Sequence, residues 1–184
     1  FPEARLVGYQ HARVPRLMLN FYMAPGGEPE APQPDWVVTV GQHSAKILSE
    51  DGHDPSRVRV GGALQMQDLL ELGADTSVRP SSETGSTVLF ATSNGMEEAA
   101  ELVEMAVNLV ESEEGVNHGI KVVLKCHPLL PFFQINSIVG VQLPNHVEQS
   151  EQPVTDLIRN SSIMVYSGST VCIQALVLGV PMIH

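Results

Sequence analysis

Apolar residues in this chain fall into short runs separated by amphipathic stretches. Trp36 to Val40, Val58 to Val60, Thr87 to Thr92, Ile120 to Cys126 and Ile163 to Tyr166 are β-branched and apolar, which predicts strands. Within them Val88-Leu89-Phe90-Ala91 and Val122-Val123-Leu124 show no polar alternation, as expected of parallel strands covered on both faces. Between strands, Met96 to Ser112 sets Ala99, Leu102, Val103, Ala106, Val107 and Val110 at helical spacing, so one apolar stripe should lie on the sheet.

The remaining elements extend the alternation. Arg5 to Tyr9 reads as a strand, Val14 to Phe21 as a helix with Pro15 in its first turn, and the Pro- and Gly-rich Ala24 to Asp35 as a loop. Gln42 to Asp51 is expected to be a helix closed by Gly52, Leu64 to Leu72 a short helix, and Gly73 to Ser86 a linker. Further on, Val139 to Leu143 reads as a strand, Val154 to Asn160 and Val171 to Leu178 as helices, and Gly179-Val180-Pro181 as the start of a last strand. This order predicts an α/β protein: a doubly wound, Rossmann-like parallel sheet over residues 76–184, preceded by the tail of a second α/β domain over residues 1–75. Phe1-Pro2 is not a translation start and the chain stops inside a predicted strand, so we expect a piece of a longer protein.

Composition narrows the function classes. Ten basic against 21 acidic residues give a net charge of −11, which opposes binding to nucleic acid and limits contact with anionic membranes to peripheral association. No apolar run is long enough to span a bilayer, and a cytoplasmic location is expected. Cys126 and Cys172 lack zinc-ligand or Cys-x-x-Cys spacing and read as buried thiols in a reducing compartment. Glu111, Glu113 and Glu114 read as a solvated helix end.

Candidate chemistry lies where strands end. In an open parallel sheet, ligands sit beyond the carboxyl ends of the strands, and a Ser/Gly/Thr turn there offers amide and hydroxyl donors to a phosphate. Ser167, Gly168, Ser169 and Thr170 form such a turn after Ile163 to Tyr166; the alternative reading is helix capping. His127, fixed by Pro128, follows the strand ending at Cys126 and could donate to a phosphate oxygen or stabilise a departing diphosphate; otherwise it is a structural loop histidine. Ser93 and Asn94, before Gly95, make a third loop at the same edge, with capping of the Met96 helix as the plainer explanation. These residues are expected to line one polar pocket. His11, after Gln10, is a candidate general base; the plainer reading is a structural loop histidine. His43, His53, His118 and His146 receive no role, and no acidic pair at Asp-x-Asp spacing supports a metal. The P-loop, Gly-x-Gly-x-x-Gly and Gly-x-Ser-x-Gly signatures are absent, which argues against P-loop ATPases, Rossmann dehydrogenases and α/β hydrolases.

Taken in order, Trp36-Val-Val-Thr-Val, Val58-Arg-Val-Gly-Gly, Val88-Leu-Phe-Ala-Thr, Val123-Leu-Lys-Cys-His-Pro, Asp156-Leu-Ile, Ser162-Ile-Met-Val-Tyr-Ser-Gly-Ser-Thr and Ala175-Leu-Val-Leu-Gly-Val-Pro resemble the GT-B glycosyltransferases, in particular the bacterial surface-polysaccharide group with capsule, sialic acid and glycerophosphate transferases. The resemblance implies a transferase that takes a sugar from a nucleotide-activated donor to a saccharide or lipid-linked acceptor, with no cofactor beyond that donor. It implies that His127 and Ser167, Ser169 and Thr170 hold the donor phosphates, and that His11 serves catalysis or acceptor binding. Gln174 stands where many UDP-sugar enzymes carry a ribose-binding glutamate, which leaves the donor nucleotide open. A nucleotide-sugar 2-epimerase, a glycerophosphate-type transferase and a binding module without catalysis are the alternatives on this fold. This chain alone is expected to be catalytically silent.

Overall fold

The structure, a computed structural model, describes residues 3–11, 14, 33–66, 69 and 86–184. The expected helix after Val14, most of the Ala24 to Asp35 loop, the end of the Leu64 to Leu72 helix and the linker from Gly73 lie outside the described residues. The chain divides into two compact units, Phe1–Asp68 and Leu69–His184.

In the first unit, strands β1 (Val7–Gln10), β2 (Trp36–Thr39) and β3 (Val58–Val60) form a parallel sheet in that order, with helix α1 (Gln42–Glu50) connecting β2 to β3. Parallel neighbours need a crossover, and α1 supplies it, burying Leu48. Side chains tie the carboxyl ends together. The Val40 N–H donates to Gln10 Oε1 at 3.3 Å, and the Tyr9 hydroxyl donates to the Gly62 carbonyl at 2.9 Å while accepting from the Leu64 N–H at 3.0 Å. Leu64–Met66 is a single 3-10 turn.

The second unit holds β4 (Thr87–Ala91), α2 (Met96–Glu111), α3 (Glu113–Asn117), β5 (Lys121–Lys125), α4 (Phe132–Val139), β6 (Val147–Gln149), α5 (Val154–Arg159), β7 (Ile163–Tyr166), α6 (Val171–Val177) and β8 (Met182–Ile183). Its five strands are parallel in the order β6-β5-β4-β7-β8. The central strand β4 alternates between two cores. Val88 and Phe90 join α2, β5 and α4 on one face, whereas Leu89 and Ala91 join Leu157, Ile158, Met164, Val171 and Ala175 on the other. All six residues of the predicted α2 stripe are buried. The structure thus has the α/β, doubly wound, Rossmann-like architecture that the alternation predicts.

Two local differences are informative. The predicted acidic helix end at Glu111 to Glu114 is exposed, but it breaks at Ser112, whose hydroxyl accepts from the Gly115 N–H at 3.0 Å and starts α3. Glu113 and Glu114 then occupy a first turn, where the helix dipole favours carboxylates. The predicted strand from Val139 to Leu143 is absent. Val139 instead ends α4, Gly140 adopts a left-handed conformation (φ 66°) with its N–H on the Asn136 carbonyl, and Asn136 Oδ1 accepts from the Val141 N–H. Gly140 is therefore a helix stop and not part of a strand. Val141 and Leu143 pack on the core from a loop, and the strand of this region is β6, where Val147 pairs with Val122.

The corrected segment makes a direct prediction about stability. Ile135 is fully buried on α4, so Ile135→Ala should cost about 2–5 kcal/mol in urea unfolding. Phe133, 70% exposed on the same helix, should tolerate alanine within about 0.5 kcal/mol.

Candidate functional site

Strand order in the second unit reverses at β4: the chain moves from β4 to β5 and β6 on one side, then returns to place β7 and β8 on the other. The connections leaving β4 and β7 therefore diverge to opposite faces, opening a space beyond their carboxyl ends. Thr92-Ser93-Asn94-Gly95 leaves β4 there, and Ser167-Gly168-Ser169-Thr170 leaves β7. His127 follows the adjacent β5.

Contacts join all three loops. The His127 backbone N–H donates to the hydroxyl of Thr92 at 3.0 Å, and Thr92 is itself buried. Across β4, a β-carbon built on Gly168 would lie 3.7 Å from Ser93 Cβ and 3.0 Å from Glu98 Oε2. Gly168 has φ 58°, a left-handed conformation that favours glycine, and it brings the β7 turn against the β4 loop. The structure thereby brings Ser93, Asn94, His127 and the 167–170 turn to one edge. His11 belongs to the first unit, exposed after β1, while its neighbour Gln10 is buried.

The individual groups differ in what they have left to offer. His127 Nδ1 accepts from the Leu129 N–H at 3.2 Å, so in the neutral ring Nε2 carries the proton and can donate. Ser93 is committed internally: its hydroxyl accepts from the Gly95 N–H at 3.1 Å and donates to Glu98 Oε2 at 2.7 Å. These bonds tie the loop to Glu98, three residues after the N-cap Gly95, but Ser93 does not cap α2, which has no side-chain capping bond. Asn94 is exposed beside it. Ser169 Oγ accepts from the Val171 N–H at 3.3 Å, a local turn bond, and Thr170 is the exposed N-cap of α6 without a side-chain capping bond. Gln174 Oε1 accepts from the Thr155 hydroxyl at 3.2 Å, linking α6 to α5.

Ser167 stands apart. Among the described residues, its Oγ is the buried side-chain polar atom that has no hydrogen-bond partner. A buried hydroxyl left unpaired costs about 1–3 kcal/mol, so such a group calls for an explanation, and a ligand is one.

Three residues at this edge escaped the sequence reading. Thr92 looked like the last residue of a strand, and its role as acceptor for His127 depends on a partner distant in sequence. Glu98 carried a legible signal, a glutamate at the third helical position. His184 packs edge-on against Tyr166, ring centroids 5.1 Å apart, at the carboxyl ends of β8 and β7, a pairing that sheet order alone creates.

Near His127, burial together with the Glu151 charge pushes the Cys126 thiol up to about 11 from 9.0, against a smaller opposing effect of Lys125. Lys125 pairs with Glu151 at 3.7 Å. No helix among the described residues is long and apolar enough to cross a membrane.

The Rossmann-like α/β fold of this chain recurs among solved structures. Among solved structures, it is similar to the S. aureus MnaA-UDP co-structure (TM-score 0.53, 14% identity, 81% of this chain and 41% of that one). It is also similar to UDP-N-acetylglucosamine 2-epimerase from Rickettsia bellii (TM-score 0.51, 13% identity, 82% of this chain and 42% of that one). The wall teichoic acid polymerase TagF aligns at TM-score 0.46 and 17% identity over 80% of this chain and 38% of its own. This chain therefore spans about two fifths of the length of these structures. The sequence matches no protein-family model and no curated protein sequence.

Two outcomes follow from the geometry. Thr92→Val keeps shape but removes the acceptor of the part-buried His127 N–H, and should lower stability by about 1 kcal/mol in chemical denaturation. For Cys126, the folded state holds the thiol proton up to about pH 11, whereas the unfolded chain releases it near 9.0. The contribution of this group to stability is therefore full below about pH 9 and is lost as pH rises through 11. Alkylation of native Cys126, followed by peptide mass mapping, should have its rate midpoint near pH 11 and not near 9.

Proposed function

We propose that this chain is the main part of the donor-binding domain of a glycosyltransferase of surface-polysaccharide synthesis, acting in the cytoplasm on a nucleotide-activated sugar. The observation that carries the reading is the unpartnered, buried Ser167 hydroxyl at the point where the strand order reverses. In this reading, Ser167, Gly168, Ser169 and Thr170 hold the donor diphosphate, Asn94 closes on it from the β4 loop, and Ser93 supports that loop. Gln174 lies on the donor side, tied to α5 through Thr155.

Glycosyl transfer breaks the bond from the sugar's anomeric carbon to the diphosphate oxygen and forms one to an acceptor hydroxyl oxygen. The bonding electrons leave with the diphosphate, whose negative charge grows in the transition state. His127 Nε2–H is a donor suited to that charge, and a donor that matters more in the transition state than in the ground state raises turnover. The acceptor proton passes to a base, the role assigned to His11. The donor is the substrate, and no further cofactor is invoked.

A second reading, a nucleotide-sugar 2-epimerase, is favoured by the fold likeness to the Rickettsia bellii enzyme. The longer protein would separate the two: an acceptor-dependent release of nucleoside diphosphate supports transfer, and an isomerised donor formed without acceptor supports epimerisation.

The first test is binding by the chain itself. UDP or a UDP-sugar should raise its melting temperature saturably. Ser167→Ala should leave the unliganded chain as stable or more stable, because it removes an unsatisfied buried group, yet weaken nucleotide binding by about 5- to 30-fold. Nucleotide affinity unaltered by Ser167→Ala, or no response to any nucleotide, would refute the proposal.

A further inference from the structure

Glu98 occupies an unexpected place for a carboxylate at the start of a helix. A glutamate at this position commonly reaches back to the N-cap N–H. Here Ser93 Oγ takes the Gly95 N–H instead, and Glu98 Oε2 receives the Ser93 hydroxyl at 2.7 Å. The same oxygen lies 3.0 Å from the β-carbon position of Gly168 and 3.1 Å from that of Gly95. The Glu98 side chain is exposed, and one of its carboxylate oxygens reaches between the β4 loop and the β7 turn, beside the residue that follows the unpartnered Ser167 hydroxyl.

An anion taken up by the 167–170 turn would meet this negative charge at close range. Like charges a few ångströms apart at a protein surface repel only modestly, and salt screens the effect. We propose that Glu98 is an anion at the rim of the site, a latch whose carboxylate oxygen sits in the notch between the two loops and opposes entry of a diphosphate until it moves aside. The latch makes Glu98 specificity-determining: it weakens ligands in proportion to the negative charge they bring to the notch and leaves uncharged ligands unaffected. This inference rests on the nucleotide reading given above.

Glu98→Gln isolates the charge, since the amide oxygen can still accept from Ser93 and the side-chain length is kept. Binding of UDP and of uridine, which shares the base and ribose but has no phosphate, would be measured for both chains by ligand-observed NMR and calorimetry. Glu98→Gln should bind UDP about tenfold more tightly at low salt. The gain should shrink as salt screens the repulsion, uridine should bind both chains alike, and the unliganded melting temperature should be preserved. UDP affinity unchanged or lowered by the substitution, or an equal gain for uridine, overturns the latch alone. If neither chain binds any nucleotide, the nucleotide reading fails and the latch with it.

Discussion

The structure of the second unit depends on burying β4 on both faces at once. Val88 and Phe90 point into one core and Leu89 and Ala91 into the other, so neither face of the strand can be left to solvent. Each parallel neighbour must be reached by a crossover, and the helices that make the crossovers are the layers that cover those faces. Helix α2 covers one side with its small and branched stripe, in which Ala99, Val103 and Ala106 are fully buried. Ile158 and Ala175, equally inaccessible, close the other side from α5 and α6.

That requirement also creates the candidate site. Because strands lie on both sides of β4, the connections after β4 and β7 depart in opposite directions, and their first residues are left facing an open edge. The polar groups there must find partners within the loops or from a ligand. Thr92 satisfies the His127 amide, Ser93 and Glu98 satisfy each other, and Ser169 is taken by the Val171 amide. Among the buried side-chain polar atoms of the described residues, the Ser167 hydroxyl is what remains. That unpaired hydroxyl and the exposed Glu98 carboxylate lie at one edge, which the bonds within the β4 loop and the β7 turn keep in shape.

The α2 stripe and the uninterrupted apolar strands were legible because they depend on nearest-neighbour periodicity, which the backbone geometry of helix and strand imposes directly. The region from Phe132 to Gln149 was not. Val139 to Leu143 alternates like a strand, yet Gly140 at positive φ and the Asn136 side chain end a helix there, and Val147 wins the place beside Val122. An alternating pattern does not show whether a ladder partner is available. The helix end at Ser112 was legible, but the short helix that starts there was not, since the acidic run beyond it reads equally as a solvated loop.

The sequence by itself determined the class of fold, the core face of the long helix and the loops that carry polar chemistry, because hydrophobic period, glycine and proline act locally. Which loops meet was decided by the tertiary structure alone. The contacts between Thr92 and His127, Glu98 and Gly168, and Tyr166 and His184 join residues far apart in the chain, and they exist because the order β6-β5-β4-β7-β8 sets those strand ends side by side. Strand order minimises exposed apolar surface over the whole sheet, a global quantity. For the same reason, the orphaned hydroxyl of Ser167 could be found only once its surroundings were folded: a serine shows its chemistry in the sequence, whereas the absence of a partner is a property of everything packed around it.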